Sequence, residues 1–155
     1  MGRISNIKKF AGKSKLMDIT IKYGTEKFKF NLFEELVINE NKINSELKDQ
    51  PSSYGFLLLL HKKLIRIKDD LEIEKDKTWA KAFIKAKNKT DSKTGRPTAN
   101  ELAKEMATAN QGFTEIALQL NQAKETADII GSCCRSFEQR GHLVQSIAAN
   151  LRKEN

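Results

Sequence analysis

Residues 116 to 151 read IALQLNQAKETADIIGSCCRSFEQRGHLVQSIAANL. Within them Ile116, Leu120, Ala123, Ala127, Ile130, Cys134, Phe137, Gly141, Val144, Ala148 and Leu151 recur at alternating steps of four and three, without a slip. That period puts all of these side chains on one stripe of a long α-helix and predicts a coiled-coil-like seam. The stripe is rich in small residues, which lets another helix approach closely, and Leu143 and Ile147 add a second apolar line beside it. Two partners fit such a seam. In one, other copies of the chain pair through Ile116, Leu120, Ile130, Phe137, Val144, Ile147 and Leu151. In the other, an earlier helix of the same chain folds back on the stripe. Self-association is the expectation taken forward, and the two are compatible because a second line allows a second neighbour.

Upstream of the seam, Thr98 and Glu101 have the spacing of a capping box, opening a helix that is expected to hesitate at Gly112. Before it, NKTDSKTGRP, residues 88 to 97, is polar and contains Gly and Pro, so it predicts an internal loop. A longer helix precedes that loop. Leu57, Leu60, Leu64, Ile67 and Leu71 alternate at three and four, and the pattern continues through Trp79, Phe83 and Ala86. Its start is expected near Tyr54, after Pro51, with Ser52 or Ser53 as its cap. An earlier helix is expected from Asn31, paired with Glu34 as a capping box, through Leu36, Ile43 and Leu47, stopping before Pro51.

Residues 16 to 30 have a different period. Ile19, Ile21 and Tyr23 alternate with polar neighbours, Gly24-Thr25 offers a turn, and Phe28 and Phe30 alternate again, which predicts a small β-hairpin. The first 15 residues read as a basic arm. Gly12-Lys13-Ser14 matches only the end of a phosphate-binding loop: Ile7 stands where the loop needs a glycine, so nucleotide binding is rejected there. The expected fold class is mainly α, with long helices in a helical hairpin or coiled-coil-like oligomer and a small N-terminal β-hairpin. Residues 1 to 30 are expected to form the arm and hairpin, and residues 31 to 155 a helical domain for binding and oligomerisation.

The charge is segregated. Of 28 Lys and Arg against 20 Asp and Glu, residues 1 to 29 hold eight bases and two acids, and residues 62 to 104 hold thirteen and seven; the other two blocks are net acidic. Basic blocks favour a phosphate-bearing partner through counterion release, or else form a solvated face. The densest stretch runs from Lys77 to Arg96, with seven bases and a single acid, Asp91. Lys77, Lys81, Lys85 and Lys89 are four apart and line one helix face, Trp79 and Phe83 are four apart beside them, and Lys87, Lys93 and Arg96 extend the charge. Ammonium groups track phosphates and aromatic faces stack on unpaired bases, so the combination suits single-stranded nucleic acid; for the two rings, ordinary packing is the simpler reading.

No catalytic constellation is recognisable. His61 and His142 lie in no metal-ligand spacing and beside no nucleophile, and the carboxylates from Asp69 to Asp76 alternate with lysines as in a solvated helix. Cys133 and Cys134 are adjacent and point about 100° apart on a helix, which disfavours a disulfide or shared metal site and predicts one core thiol and one partly exposed thiol. No apolar run approaches the roughly 20 residues of a membrane span. Gly2 does not open a myristoylation signal, because position 6 is Asn. The reading is a soluble, cytoplasmic, non-enzymatic protein with no cofactor and no metal.

The segments KTWAKAFIKAKNK (residues 77 to 89), SKTGRP (residues 92 to 97) and the ending FEQRGHLVQSIAANLR (residues 137 to 152) occur in an order that resembles the UvsY-like recombination mediators of T-even-like phages. The resemblance covers about residues 54 to 152. It implies a ring-forming oligomer, assembled through its helical C-terminal part, that binds single-stranded DNA. It also implies partners: a RecA-like recombinase whose filament it helps assemble, and the single-strand-binding protein it helps displace. The family's DNA-contacting bases correspond to Lys81, Lys85, Lys87 and Lys89, while its aromatic pair after them is replaced by Ile84 and Lys85 around Phe83. If phage-encoded, the protein would act in the host cytoplasm. A structural or scaffolding protein of a phage particle, or a protein-interaction module, is the reading from another class.

Overall fold

A computed structural model describes residues 18 to 23, 25 to 90 and 95 to 154. The chain runs β1 (Asp18–Tyr23), β2 (Glu26–Asn31), α1 (Leu32–Leu36), a 3₁₀ turn (Glu40–Lys42), α2 (Ile43–Lys87), α3 (Asn100–Thr108) and α4 (Gln111–Glu154). This is the expected mainly α architecture with a two-stranded antiparallel sheet. The basic arm of residues 1 to 15 lies outside the described residues.

The chain forms two compact units, one of residues up to 60 together with those from 129 onward, the other of residues 61 to 128. In the first, the register pairs Ile19 with Phe30 and Ile21 with Phe28, so the apolar positions share one face of the hairpin. Ile21 is buried, and the Phe28 ring meets Phe56 of α2 edge to face, centroids 5.4 Å apart. The open end of the hairpin is closed by Asn31 Nδ2 donating to Asp18 Oδ1 at 2.7 Å. The core of this unit is Leu57 and Leu60 from α2 with Ile130, Phe137, Val144 and Ala148 from α4. In the second, Leu64 and Ala86 of α2, Ala103 and Ala107 of α3, and Leu120 and Ala127 of α4 are buried.

Two helix boundaries differ from expectation. The helix opened by Asn31 ends after five residues, and a single 45-residue helix then runs through Pro51. Asn31 does cap α1, its Oδ1 accepting from the Phe33 and Glu34 amides at 3.0 and 3.2 Å. Val37 then turns extended, and Asn39 starts the chain again: its Oδ1 accepts from the Asn41 amide at 3.1 Å, while Glu46 Oε1 accepts from the Asn39 amide at 3.1 Å. Asparagine offers the backbone a local alternative to the helix, and here it wins. Pro51 lacks an N–H and leaves the Leu47 carbonyl without its helical donor, yet the helix continues through it; on the same turn Gln50 is tied to α4, its Nε2 donating to the Phe137 carbonyl at 2.6 Å. Pro51 itself sits on the exposed side.

The third difference is at α3. Thr98 does not cap it. Its hydroxyl and amide both donate to the Lys89 carbonyl, at 2.8 and 3.0 Å, closing the loop that Gly95 turns with φ 63°, and Ala99 precedes the helix without a side-chain cap. The hesitation expected at Gly112 falls earlier, at Ala109 and Asn110. Asn110 opens α4, its Oδ1 accepting from the Phe113 amide at 3.2 Å.

Candidate nucleic-acid interface

The lysine ridge stands on the last three turns of α2. Spacing of four places Lys77, Lys81 and Lys85 along one side, and all three are exposed. Lys89, just beyond the helix, and Arg96 are exposed too, whereas Lys93 lies outside the described residues. Lys87 points differently: it is half-buried, its Nζ donating to the Thr98 carbonyl at 3.0 Å. Of the lysines on this segment it is the one with a structural task, tying the loop strand at Thr98 to the end of α2.

Trp79 and Phe83 are half-buried and stack on each other, centroids 5.3 Å apart and planes within 5°. Trp79 Nε1 donates to Thr108 Oγ1 of α3 at 3.3 Å. The stack thus lies within α2, and of the two rings Trp79 alone ties that helix to α3, through this one bond. In the acidic stretch before the ridge, Lys68 pairs with its neighbour Asp69 at 3.0 Å and Lys75 with its neighbour Asp76 at 3.8 Å, rather than one turn away, and Glu72 reaches across to Lys124 of α4 at 3.5 Å. In each pair the carboxylate is open to water, so solvent and salt screen it.

Of the residues expected to carry self-association, Leu120, Ile130, Phe137 and Val144 are buried within the single chain, the fold-back partner that the spacing also allowed. Ile116 and Ile147 are half-buried, and Leu151 is exposed. Leu143 of the second apolar line is 57% exposed. The seam and the second line thus face different surroundings.

Sequence reasoning missed the most connected residue of α4. Arg140 is buried, its guanidinium donating to the Glu46 carboxylate, to Gln50 Oε1 and to the Val37 carbonyl. The Arg140 hydrogen bonds and the Asn39 amide hold the Glu46 carboxyl below the usual carboxylate range, against the opposing effect of burial. A signal was available: Arg140 falls between Phe137 and Val144 at helical spacing, inside the apolar arc, where an arginine requires partners. The thiols also correct an expectation. Both cysteines are free and buried, because the buried arc of α4 is wide enough to take neighbouring positions. Burial, with a smaller effect from Cys134, pushes the Cys133 thiol up to about 11.

A cavity of about 420 Å³ lies under the hairpin, lined by Phe28, Phe30, Phe56, Leu57 and Phe137 with Lys29, Glu35, Ser52 and Ser53. Among the described residues, no three His, Cys, Asp or Glu side chains are placed to hold a metal ion, and no helix is long and apolar enough to cross a membrane.

The chain has a UvsY-like fold, the fold of a phage recombination mediator. The crystal structure of the bacteriophage T4 recombination mediator protein UvsY matches it with a TM-score of 0.62 over 80% of this chain and 93% of that chain. The sequences are 15% identical, so the likeness is one of fold. No family model matches the chain, and no curated protein matches it in sequence.

Proposed function

We propose that this protein is a recombination mediator that binds single-stranded DNA without reading its sequence and helps a RecA-like recombinase replace the single-strand-binding protein. The observation that carries the reading is the exposed ridge of Lys77, Lys81 and Lys85 on a helix that also carries the Trp79–Phe83 stack, in a chain with a UvsY-like fold. Lys89, Lys93 and Arg96 extend the site, and Lys87 shapes its floor. With the rings stacked on each other and Trp79 bonded to α3, the ammonium groups carry the affinity by phosphate contact and counterion release. Each chain offers a short site, so several chains act together and affinity arises from multivalency. Assembly draws on the second apolar line, Leu143 with Ile147, together with Leu151 at the exposed end of the seam, because Leu120, Ile130, Phe137 and Val144 of the seam are already covered. The protein works by binding, with no catalytic step, cofactor or metal.

The test is fluorescence anisotropy with a labelled single-stranded oligonucleotide and its duplex, at low and moderate salt. Binding that prefers the single strand, weakens steeply with salt and is lost on reversing Lys81 and Lys85 to Glu is the expected result. No binding at low salt overturns the reading and leaves an oligomeric scaffold as the better account. Assembly is tested by Leu143→Lys with light scattering. Truncation before Gln139 is no substitute, because it also removes Arg140 and Val144 from the core.

A further inference from the structure

The second half of α2 carries a line of exposed residues, Ile73, Ala80 and Ile84, that shares only Lys77 with the lysine ridge. Ile73 and Ile84 are 54% and 58% exposed, and Lys77 and Ala80 between them are exposed as well. At about 100° per residue, Ala80 and Ile84 fall within about 20° of Ile73, and Lys77 within about 40°. The four residues make one stripe with the 4-3-4 spacing of a helix–helix seam, about 16 Å long. Leu64, Ala82 and Ala86, which are buried or half-buried, lie on the opposite side of the same helix. The stripe therefore points away from the chain.

Charge beside the stripe is ordered along the helix. On one flank, about 60 to 120° round from Ile73, come Asp70, Glu74, Lys81 and Lys85 in that order. All four are exposed, and among the described residues none of them is in an ion pair. The flank is thus acidic at one end and basic at the other. A second α2 laid parallel on the stripe would bring this flank against the other flank of the second copy, setting Asp70 and Glu74 beside that copy's Glu72 and Asp76. Laid antiparallel, with Ile73 against Ile84, the same flanks meet in opposite directions. Glu74 then stands between Lys81 and Lys85 of the second copy, and Asp70 stands beside that copy's Lys85. Like charges face each other in the first arrangement and opposite charges in the second.

We propose that Ile73, Lys77, Ala80 and Ile84 form a self-pairing seam through which two copies of this chain join antiparallel, the acidic end of each flank neutralising the basic end of the other. The stripe is short against the roughly 1,600 Å² of a standard interface, so this contact is weak and exchanges readily. Its pairing does not depend on the nucleic-acid reading. One consequence does rest on that reading: Lys77 lies in the seam and Lys81 and Lys85 on its flank, so pairing masks the ridge and a polyanion displaces the second copy.

The experiment places a reporter near the two-fold axis, which passes between Thr78 and Trp79. Ala80→Cys in the full chain is treated with a short bismaleimide, the unsubstituted chain with its two buried thiols serving as control, and the yield of covalent dimer is read. Asp70→Lys with Glu74→Lys lowers that yield at least about fivefold, and so does Lys81→Glu with Lys85→Glu, since each sets like charges face to face. Combining all four reversals in one chain restores it. Should a lysine pair unfold the helix by circular dichroism, Asp70→Asn with Glu74→Gln asks the same question. No dimer from Ala80→Cys, or a fourfold variant no better than either pair, overturns the seam. A single-stranded oligothymidine added before the crosslinker lowers the yield of the unreversed chain; an unchanged yield overturns the competition, and the nucleic-acid reading is then judged by its own anisotropy test.

Discussion

In the unit that holds the hairpin, Arg140 and Glu46 are drawn out of solvent, with side chains 9% and 18% exposed, and their hydrogen bonds reach Gln50, Val37 and Asn39. In the unit of residues 61 to 128, Lys77, Lys81 and Lys85 stand in solvent with no ion pair among the described residues. The same chemistry serves two purposes. A buried guanidinium needs partners, and although the Arg140 Nε finds none among the described residues, its two terminal nitrogens bond Glu46, Gln50 and Val37 and so fix the start of α2 against α4. An exposed ammonium costs the fold almost nothing and stays available to a partner.

The sharpest way to break this contrast is to remove the buried charge. Arg140→Ala strands the Glu46 carboxylate and should cost about 3–5 kcal/mol, read from the urea midpoint, whereas Arg140→Met with Glu46→Leu should recover most of that loss. A cost below about 1 kcal/mol would put the pair in the same class as the surface pairs. Acid tests the pair without a substitution. Because the folded Glu46 value is depressed, its stabilising contribution is complete above the ordinary glutamate value of about 4.3, and it drains as pH falls through the folded value. That loss should be absent from the Arg140→Met, Glu46→Leu chain in acid titrations followed by circular dichroism. Asn39→Ala removes the cap that restarts the helix and should cost about 1 kcal/mol in the same urea assay. At the other extreme, Lys81→Gln with Lys85→Gln should change stability by less than about 0.5 kcal/mol. The same pair should flatten the salt dependence of single-strand binding by about 1.4 in the log–log slope, at about 0.7 for each phosphate that is no longer neutralised.

Much of the fold was legible because its signals are periodic. Alternation at Ile19, Ile21, Phe28 and Phe30 marked the hairpin, and the four-three steps from Ile116 to Leu151 marked α4. Helix ends were less legible. Asn39, Thr98 and Asn110 can each cap a helix or serve another bond, and sequence spacing does not say which acceptor lies nearest. Pro51 was read as a stop because the local rule is strong, but the helix runs through it, on a turn packed against α4, where Gln50 bonds a carbonyl 87 residues away that no local rule sees. The lysine ridge was visible as a count and a spacing. That Lys87 is bonded to Thr98 was not, since the loop's path decides it. For the C-terminal stripe, periodicity identified an interface without saying whose, and burial places Leu120, Ile130, Phe137 and Val144 inside the single chain.

The hydrogen bonds of Arg140 also impose an order on synthesis. Residues 61 to 128 are contiguous, so that unit has all its parts as soon as Asp128 has left the ribosome. The other unit is assembled from both sides of it. Glu46 and Gln50 are made early and must wait some ninety residues for Arg140. At roughly 5–20 residues per second, that interval is about 5 to 20 seconds, during which the hairpin and the start of α2 exist without the helix that covers them. A chaperone that recognises nascent apolar segments has its window there, at Phe28, Phe56 and Leu57, and the window shuts when Arg140 arrives.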